Sequence, residues 1–191
     1  MKTAQLSDIP SMAALLVRAY KHNPTVVRVV GEHAGFEKRA ERLFRYTLRD
    51  MVKQQAAYIT NNGTGIAVLY PILEKKSSLW TQLQVVLRAS GFKRGLAAMQ
   101  REKIIRSIRP KGNYLHFWML AVDPEQKGIA SVQEMRDFAF ELSASEQLPI
   151  YAETPLPRTK ALYERYGFVT YNKWQDGEYT VWFLKRIPAV K

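Results

Sequence analysis

The segment Val122-Asp123-Pro124-Glu125-Gln126-Lys127-Gly128-Ile129-Ala130-Ser131 joins the end of an apolar run to the start of a helical pattern through a short polar corner. The first turn of a helix offers unpaired N–H groups and a partial positive charge, which together suit a phosphate. Gly128 and the small Ala130 let backbone come close to an anion, and Lys127 adds a cation. Taken alone the signal is weak, because any strand–helix turn carries such groups. Other chemistries are excluded by composition. The 191 residues contain no cysteine, which removes disulfides, thiol nucleophiles and Cys-ligated metals. His22 and His33 have no partner at ligand spacing, so no metal is expected.

The elements around this corner can be read from periodicity. Asp8 is placed to cap a helix with Pro10 in its first turn, and Ile9, Met12, Ala13, Leu16, Ala19 and Tyr20 recur at helical spacing. Asn23-Pro24 ends that helix. A second helix is expected from about Phe36 to Gln54. Ala57–Thr60 and Gly65–Tyr70 flank Asn61-Asn62-Gly63-Thr64 and predict a hairpin closed by Pro71. Ser77 to Arg109 reads as two helices broken near Ser90-Gly91. Tyr114 to Val122 is a central strand, Ile129 to Ser145 a helix, Pro149 to Glu153 a strand, and Arg158 to Tyr166 a short helix closed by Gly167. Phe168–Trp174 and Tyr179–Leu184 form a last hairpin around Asp176-Gly177. The sum is an α/β chain with a mixed, largely antiparallel sheet, read as one domain over 1–191 with a helical insertion at 77–110.

The combination of Leu120-Ala121-Val122-Asp123-Pro124, a Gly-x-Ala helix start, and Leu162-Tyr163-Glu164-Arg165-Tyr166-Gly167-Phe168 resembles the GNAT superfamily of acyl-CoA-dependent N-acyltransferases. The resemblance is clear from Tyr114 to Phe168. It implies a GNAT-like fold with an insertion before the central strand, and acetyl-CoA as acyl donor. By position, Leu120, Ala121 and Val122 would hold the pantetheine arm and acyl carbonyl. Lys127, Gly128, Ile129, Ala130 and Ser131 would hold the pyrophosphate, with Gln126 assisting. Tyr163 matches the tyrosine that assists the departing thiolate, a role that suits a phenol. His116 lies four residues before Leu120, which period-2 spacing puts on the same strand face. It resembles the position of a general base, for which imidazole is suited near pH 7. Two positions depart from the pattern: Glu125 stands where Gln or Arg is usual in a loop about two residues longer, and Leu156 replaces a frequent asparagine. Trp118 is expected to line the acceptor site. Glu153, at a strand end, could orient an amine, but a surface role ranks ahead of that.

Charge leaves competing readings. The net charge is +12, and eight cations (Arg88, Lys93, Arg94, Arg101, Lys103, Arg106, Arg109, Lys111) face one acid, Glu102, between 88 and 111. That stretch reads as a solvated helix face or as a surface for anions. No nucleic-acid-binding motif accompanies it, so a basic nucleic-acid binder ranks below a transferase and below a silent GNAT-fold binding module. No apolar run reaches the roughly 18 residues needed to cross a bilayer, and the first residues lack the apolar core of a signal peptide. The expectation is a cytoplasmic enzyme, with no membrane partner, acting on a small-molecule or peptide amine of open identity. A homodimer is compatible with the sequence.

Overall fold

The computed structural model describes residues 1–32, 34–73, 92–126 and 129–188. Lys127, Gly128 and the first part of the 77–110 insertion therefore lie outside the described residues. Seven strands form one sheet in the order β1-β2-β3-β4-β5-β7-β6. They are β1 (Lys2–Thr3), β2 (Ala57–Ile59), β3 (Gly65–Ile72), β4 (Tyr114–Val122), β5 (Ile150–Thr154), β6 (Val169–Asp176) and β7 (Tyr179–Arg186). Every neighbouring pair is antiparallel except β4 and β5. The α-helices among the described residues are α1 (Ile9–Ala19), α2 (Pro24–Val30), α3 (Phe36–Lys53), α4 (Phe92–Ile108), α5 (Ala130–Glu146) and α6 (Pro157–Arg165). None of them is long and apolar enough to cross a membrane.

Local sequence explains most boundaries, with three refinements. Asp8 holds the N-cap position of α1, with Pro10 in the first turn, but its side chain makes no capping bond there. It closes a short 3-10 turn, and its carboxylate reaches back to the Gln5 N–H at 2.7 Å. Asn23-Pro24 ends one helix and also starts α2: the Asn23 side chain accepts the Thr25 N–H at 3.0 Å, and Pro24 fits a first-turn position. Pro71 does not close β3, which runs on to Ile72. The short β2 pairs only as far as Val68, so the Pro71 ring needs no ladder partner on that side. The turn at 61–64 behaves as expected. Gly63 has φ +75, and the Asn62 side-chain oxygen collects the Thr60 and Thr64 hydroxyls and the Thr64 N–H.

The sheet is covered on both faces. Apolar residues of α1, α2 and α3 pack on Ile66, Val68, Tyr70 and Ala121. Met135 and Ala139 of α5 and Tyr163 of α6 pack on the opposite face with Ala67, Leu69, Leu115 and Phe117. Ile105 of α4 packs on Val181 and Phe183, on the face shared by Glu153 through its pairing with Phe183.

A bulge resets the alternation in β4. Val68 pairs with Met119 but Leu69 with Phe117, which leaves Trp118 without a partner on β3. Trp118 and Met119 consequently both lie toward α1–α3, while Leu120 turns to the α5–α6 core. His116 and Leu120 are therefore on opposite faces, contrary to simple period-2 counting, because one extra residue inverts everything after it.

Candidate active site

The parallel ladder between β4 and β5 has only two registered pairs, Leu115 with Ile150 and His116 with Tyr151. Beyond them the two strands continue unpaired, and a cleft of about 550 Å³ opens there. Leu120, Ala121 and Val122 line one side, and Glu153, Thr154, Pro155 and Leu156 the other. Tyr163 enters from α6, Tyr20 from the end of α1, and Trp118 and Tyr70 from the sheet. The α4 helix roofs the cleft with Met99 and Arg106, and Arg109 just after its end adds to the roof.

Backbone direction follows from the ladder. The Tyr20 hydroxyl donates to the Leu120 carbonyl at 3.0 Å, so the Leu120 backbone faces away from β3. Amide and carbonyl of one extended residue point to the same side, so Leu120 and Val122 aim their N–H groups toward the splay, while Ala121 bonds across to β3. The Ala121 side chain is buried with α1–α3.

A row of polar groups crosses three strands on the α1–α4 face. His116 Nδ1 lies 2.9 Å from the Tyr70 hydroxyl, and His116 Nε2 lies 2.8 Å from Glu153 Oε2. Arg109 Nε donates to Glu153 Oε1 at 2.6 Å, and Arg109 Nη1 to Glu102 Oε1 at 3.1 Å. Arg106 closes on the same Glu102 oxygen at 3.0 Å. The row forms because Tyr70 and His116 are register partners, and Glu153 stands two residues beyond the register partner of His116. The expectation that Glu153 is a surface residue is corrected: its side chain is 12% exposed. Burial alone would raise its carboxyl, but His116 and Arg109 together outweigh that and hold it down at about 2. The Arg109 guanidinium is raised in turn: burial opposes, and Glu153 and Glu102 prevail. An ionised carboxylate only accepts, so a neutral His116 carries its proton on Nε2 and presents the Nδ1 lone pair to Tyr70.

Tyr163 is 6% exposed and packs edge-on to Phe117 and against Phe168. Burial raises its hydroxyl first of all, and the charges of Tyr20 and Glu153 add to this. It therefore holds its proton at neutral pH. Tyr20, with its hydroxyl on Leu120, is pushed by burial up to about 12.

The helix-start residues are placed as follows. Gln126 is exposed, with its N–H on the Asp123 carbonyl at 3.0 Å. Ile129 is 63% exposed at the start of α5, and Ala130 is exposed. Ser131 is buried, and its hydroxyl meets Thr64 Oγ1 at 2.7 Å and Asn62 Nδ2 at 3.1 Å. Asp123, before the loop, is tied to Arg18 at 2.5 Å. Sequence reasoning gave no site role to Tyr70, Arg109 or Tyr20, and ranked Glu153 first as a surface residue. Each joins the site through strand register or helix docking, which no local pattern encodes.

No family model matches the sequence, and no curated protein matches it. Solved structures do. A histone acetyltransferase HPA2-related acetyltransferase from Corynebacterium glutamicum superposes with TM-score 0.71 at 16% identity, covering 100% of this chain and 96% of the other. Arylalkylamine N-acetyltransferase 2 from Aedes aegypti superposes at 0.69 with 11% identity and 97% of each chain covered. The C-terminal condensation domain of Ebony, solved with beta-alanyl-dopamine, gives 0.65 at 14% identity with 96% of each covered. The chain has the GNAT fold. Several proteins sharing it are acetyltransferases.

Proposed function

We propose that this chain is an N-acyltransferase that moves an acetyl group from acetyl-CoA to a primary amine in a ternary complex. The observation that carries the reading is the cleft between splayed β4 and β5, with Tyr163 on one wall, Tyr70 and Glu153 on the other, and His116, fully buried, joined to both behind that wall. In this scheme the thioester lies along Leu120 to Val122, whose N–H groups facing the splay polarise its carbonyl. The neutral amine attacks that carbon, and the C–S bond breaks as the C–N bond forms. The amine proton passes through the Tyr70 hydroxyl to His116 Nδ1. Tyr163 donates a hydrogen bond to the departing sulfur. A phenol held high keeps its proton, so its contribution is mainly the bond it donates, since a thiolate is less basic than a phenolate. Holding donor and amine in contact geometry supplies much of the acceleration. The described elements act as one domain spanning 1–191, and the setting is cytoplasmic.

Support from the neighbours is consistent. One is an arylalkylamine N-acetyltransferase and another an agmatine N-acetyltransferase, so small amines are the first acceptors to try. Calorimetry with acetyl-CoA and CoA tests the donor: we expect saturable binding, and none at millimolar ligand would sink the reading. Tyr163→Phe is expected to lower kcat by about 10-fold or more while donor affinity changes little. An unchanged kcat would remove Tyr163 from that role.

A second reading is favoured by one feature. The Ser131 hydroxyl is consumed by Asn62 and Thr64, and Glu125 sits in the loop ahead of it. A carboxylate near a pyrophosphate is unfavourable. On this reading the chain is a silent binding module. Acetyl transfer to any member of an amine panel would refute it.

A further inference from the structure

Glu153 has one oxygen for each of two partners, His116 and Arg109. Arg109 directly follows α4, the helix before β4, and it is only 11% exposed. Its second nitrogen is fixed by Glu102, which Arg106 also binds. The guanidinium therefore places its charge between two carboxylates, with one nitrogen on each. We propose that Arg109 is a positioning residue of the transferase site: it keeps Glu153 an ionised acceptor, so that His116 holds its neutral-ring proton on Nε2 and leaves Nδ1 bare toward Tyr70. The insertion helix is thereby part of the catalytic apparatus. This rests on the reading of His116 as the proton acceptor.

The physical argument follows from burial. A carboxylate this enclosed needs a cation or a proton. The groups around the pair are Tyr70 on β3, Tyr114 on β4, Tyr151 on β5, Tyr171 on β6, and Glu102 and Arg106 on α4. Without Arg109, Glu153 has two ways to relax. It can take a proton and donate it to Nε2, which moves the ring proton to Nδ1. Alternatively it can keep its charge by holding the ring as imidazolium. Both leave a proton on Nδ1, the atom that must receive the proton of the amine. A role confined to packing would not change which ring nitrogen is bare.

Imidazole nitrogen NMR reads this directly. The chain has three histidines, and the His116 signals are identified by their loss in His116→Gln. At mildly alkaline pH the native protein is expected to show Nε2 protonated and Nδ1 bare, and Arg109→Met to show a proton on Nδ1. Arg109→Lys, which keeps the charge, is expected to restore most of the native pattern. Should Arg109→Met fail to fold, Arg109→Gln retains a donor without charge and is read in the same way. A protonated Nδ1 in the native protein, or a bare Nδ1 in the uncharged variant, overturns the proposal. Loss of the pattern in Arg109→Lys overturns it too. In turnover, Arg109→Met is expected to lower kcat about 100-fold with KM for acetyl-CoA unchanged. The two readings fail separately: the expected NMR pattern with no acetyl transfer by native protein would sink the transferase assignment and leave the role of Arg109 standing.

Discussion

Glu153 shows how one side chain can be misjudged from its surroundings in sequence. It follows Tyr151-Ala152 near a strand end and precedes Thr154-Pro155, a context that suggests surface. In the fold it is enclosed and held ionised by His116 and Arg109. Its carboxyl titrates lower when folded than the ordinary 4.5, so its contribution to stability is fully present above that value. The contribution is lost as pH falls toward about 2, because the unfolded chain binds the proton more readily. The size is on the order of 3 kcal/mol. Urea midpoints measured between pH 6 and pH 2 are expected to fall less steeply for Glu153→Gln than for the native chain. Parallel curves would show that the carboxyl gains nothing from its two partners.

At the scale of elements, the cleft depends on how α4 is held. Arg101 of α4 donates to Asp176 at 2.6 Å and to Thr25 of α2 at 3.2 Å, and stacks over Trp174 at 5.8 Å. Arg28 of α2 pairs with the same Asp176. One carboxylate at the β6–β7 turn thus joins α2, α4 and the hairpin. It is 14% exposed and Arg101 16%, so that pair is little screened by solvent, whereas Arg28 is more open. Asp176→Asn is expected to cost about 2 kcal/mol in a denaturant titration. It should also raise the acceptor KM, because α2 and α4 both line the cleft. A loss below about 0.5 kcal/mol would mean the three elements are held by apolar packing instead. The other close fit is at Gly65, where an added Cβ would come within 2.8 Å of Thr60 Cγ2 and 3.1 Å of Ser131 Cβ. Glycine there lets the start of β3 meet the start of α5.

For the whole molecule, the excess charge is distributed differently from what linear reading suggests. Among the described side chains of 88–111, Arg101, Arg106 and Arg109 turn toward acids. Lys103 and Lys111 are exposed. A longer stripe lies on α3, where Lys38, Arg42, Arg45, Arg49 and Lys53 are exposed at helical spacing on one side. Binding to a polyanion is therefore expected to be weak, independent of sequence and steeply dependent on salt. Replacing Arg42, Arg49 and Lys53 with alanine should abolish retention on heparin, and replacing Lys103 and Lys111 should not. The reverse result would restore 88–111 as the anion-facing surface.

What the sequence determined by itself was whatever depends on neighbours along the chain. The Asn-Gly and Asp-Gly turns, the apolar run of β4, the faces of α1 and α3, and Gly167 after α6 all report local conformational preference and period. Together with the Leu120–Ser131 corner and the Tyr163 segment, they were enough to indicate the GNAT fold. Tertiary structure alone decided which side chains meet. The bulge at Trp118 inverted the face of Leu120 relative to His116, because strand period carries no memory of an inserted residue. The register of β3, β4 and β5 brought Tyr70, His116 and Glu153 into one row, and the docking of α4 added Arg109. These pairings join residues up to 46 positions apart, and no spacing along the chain encodes which strand will lie beside which.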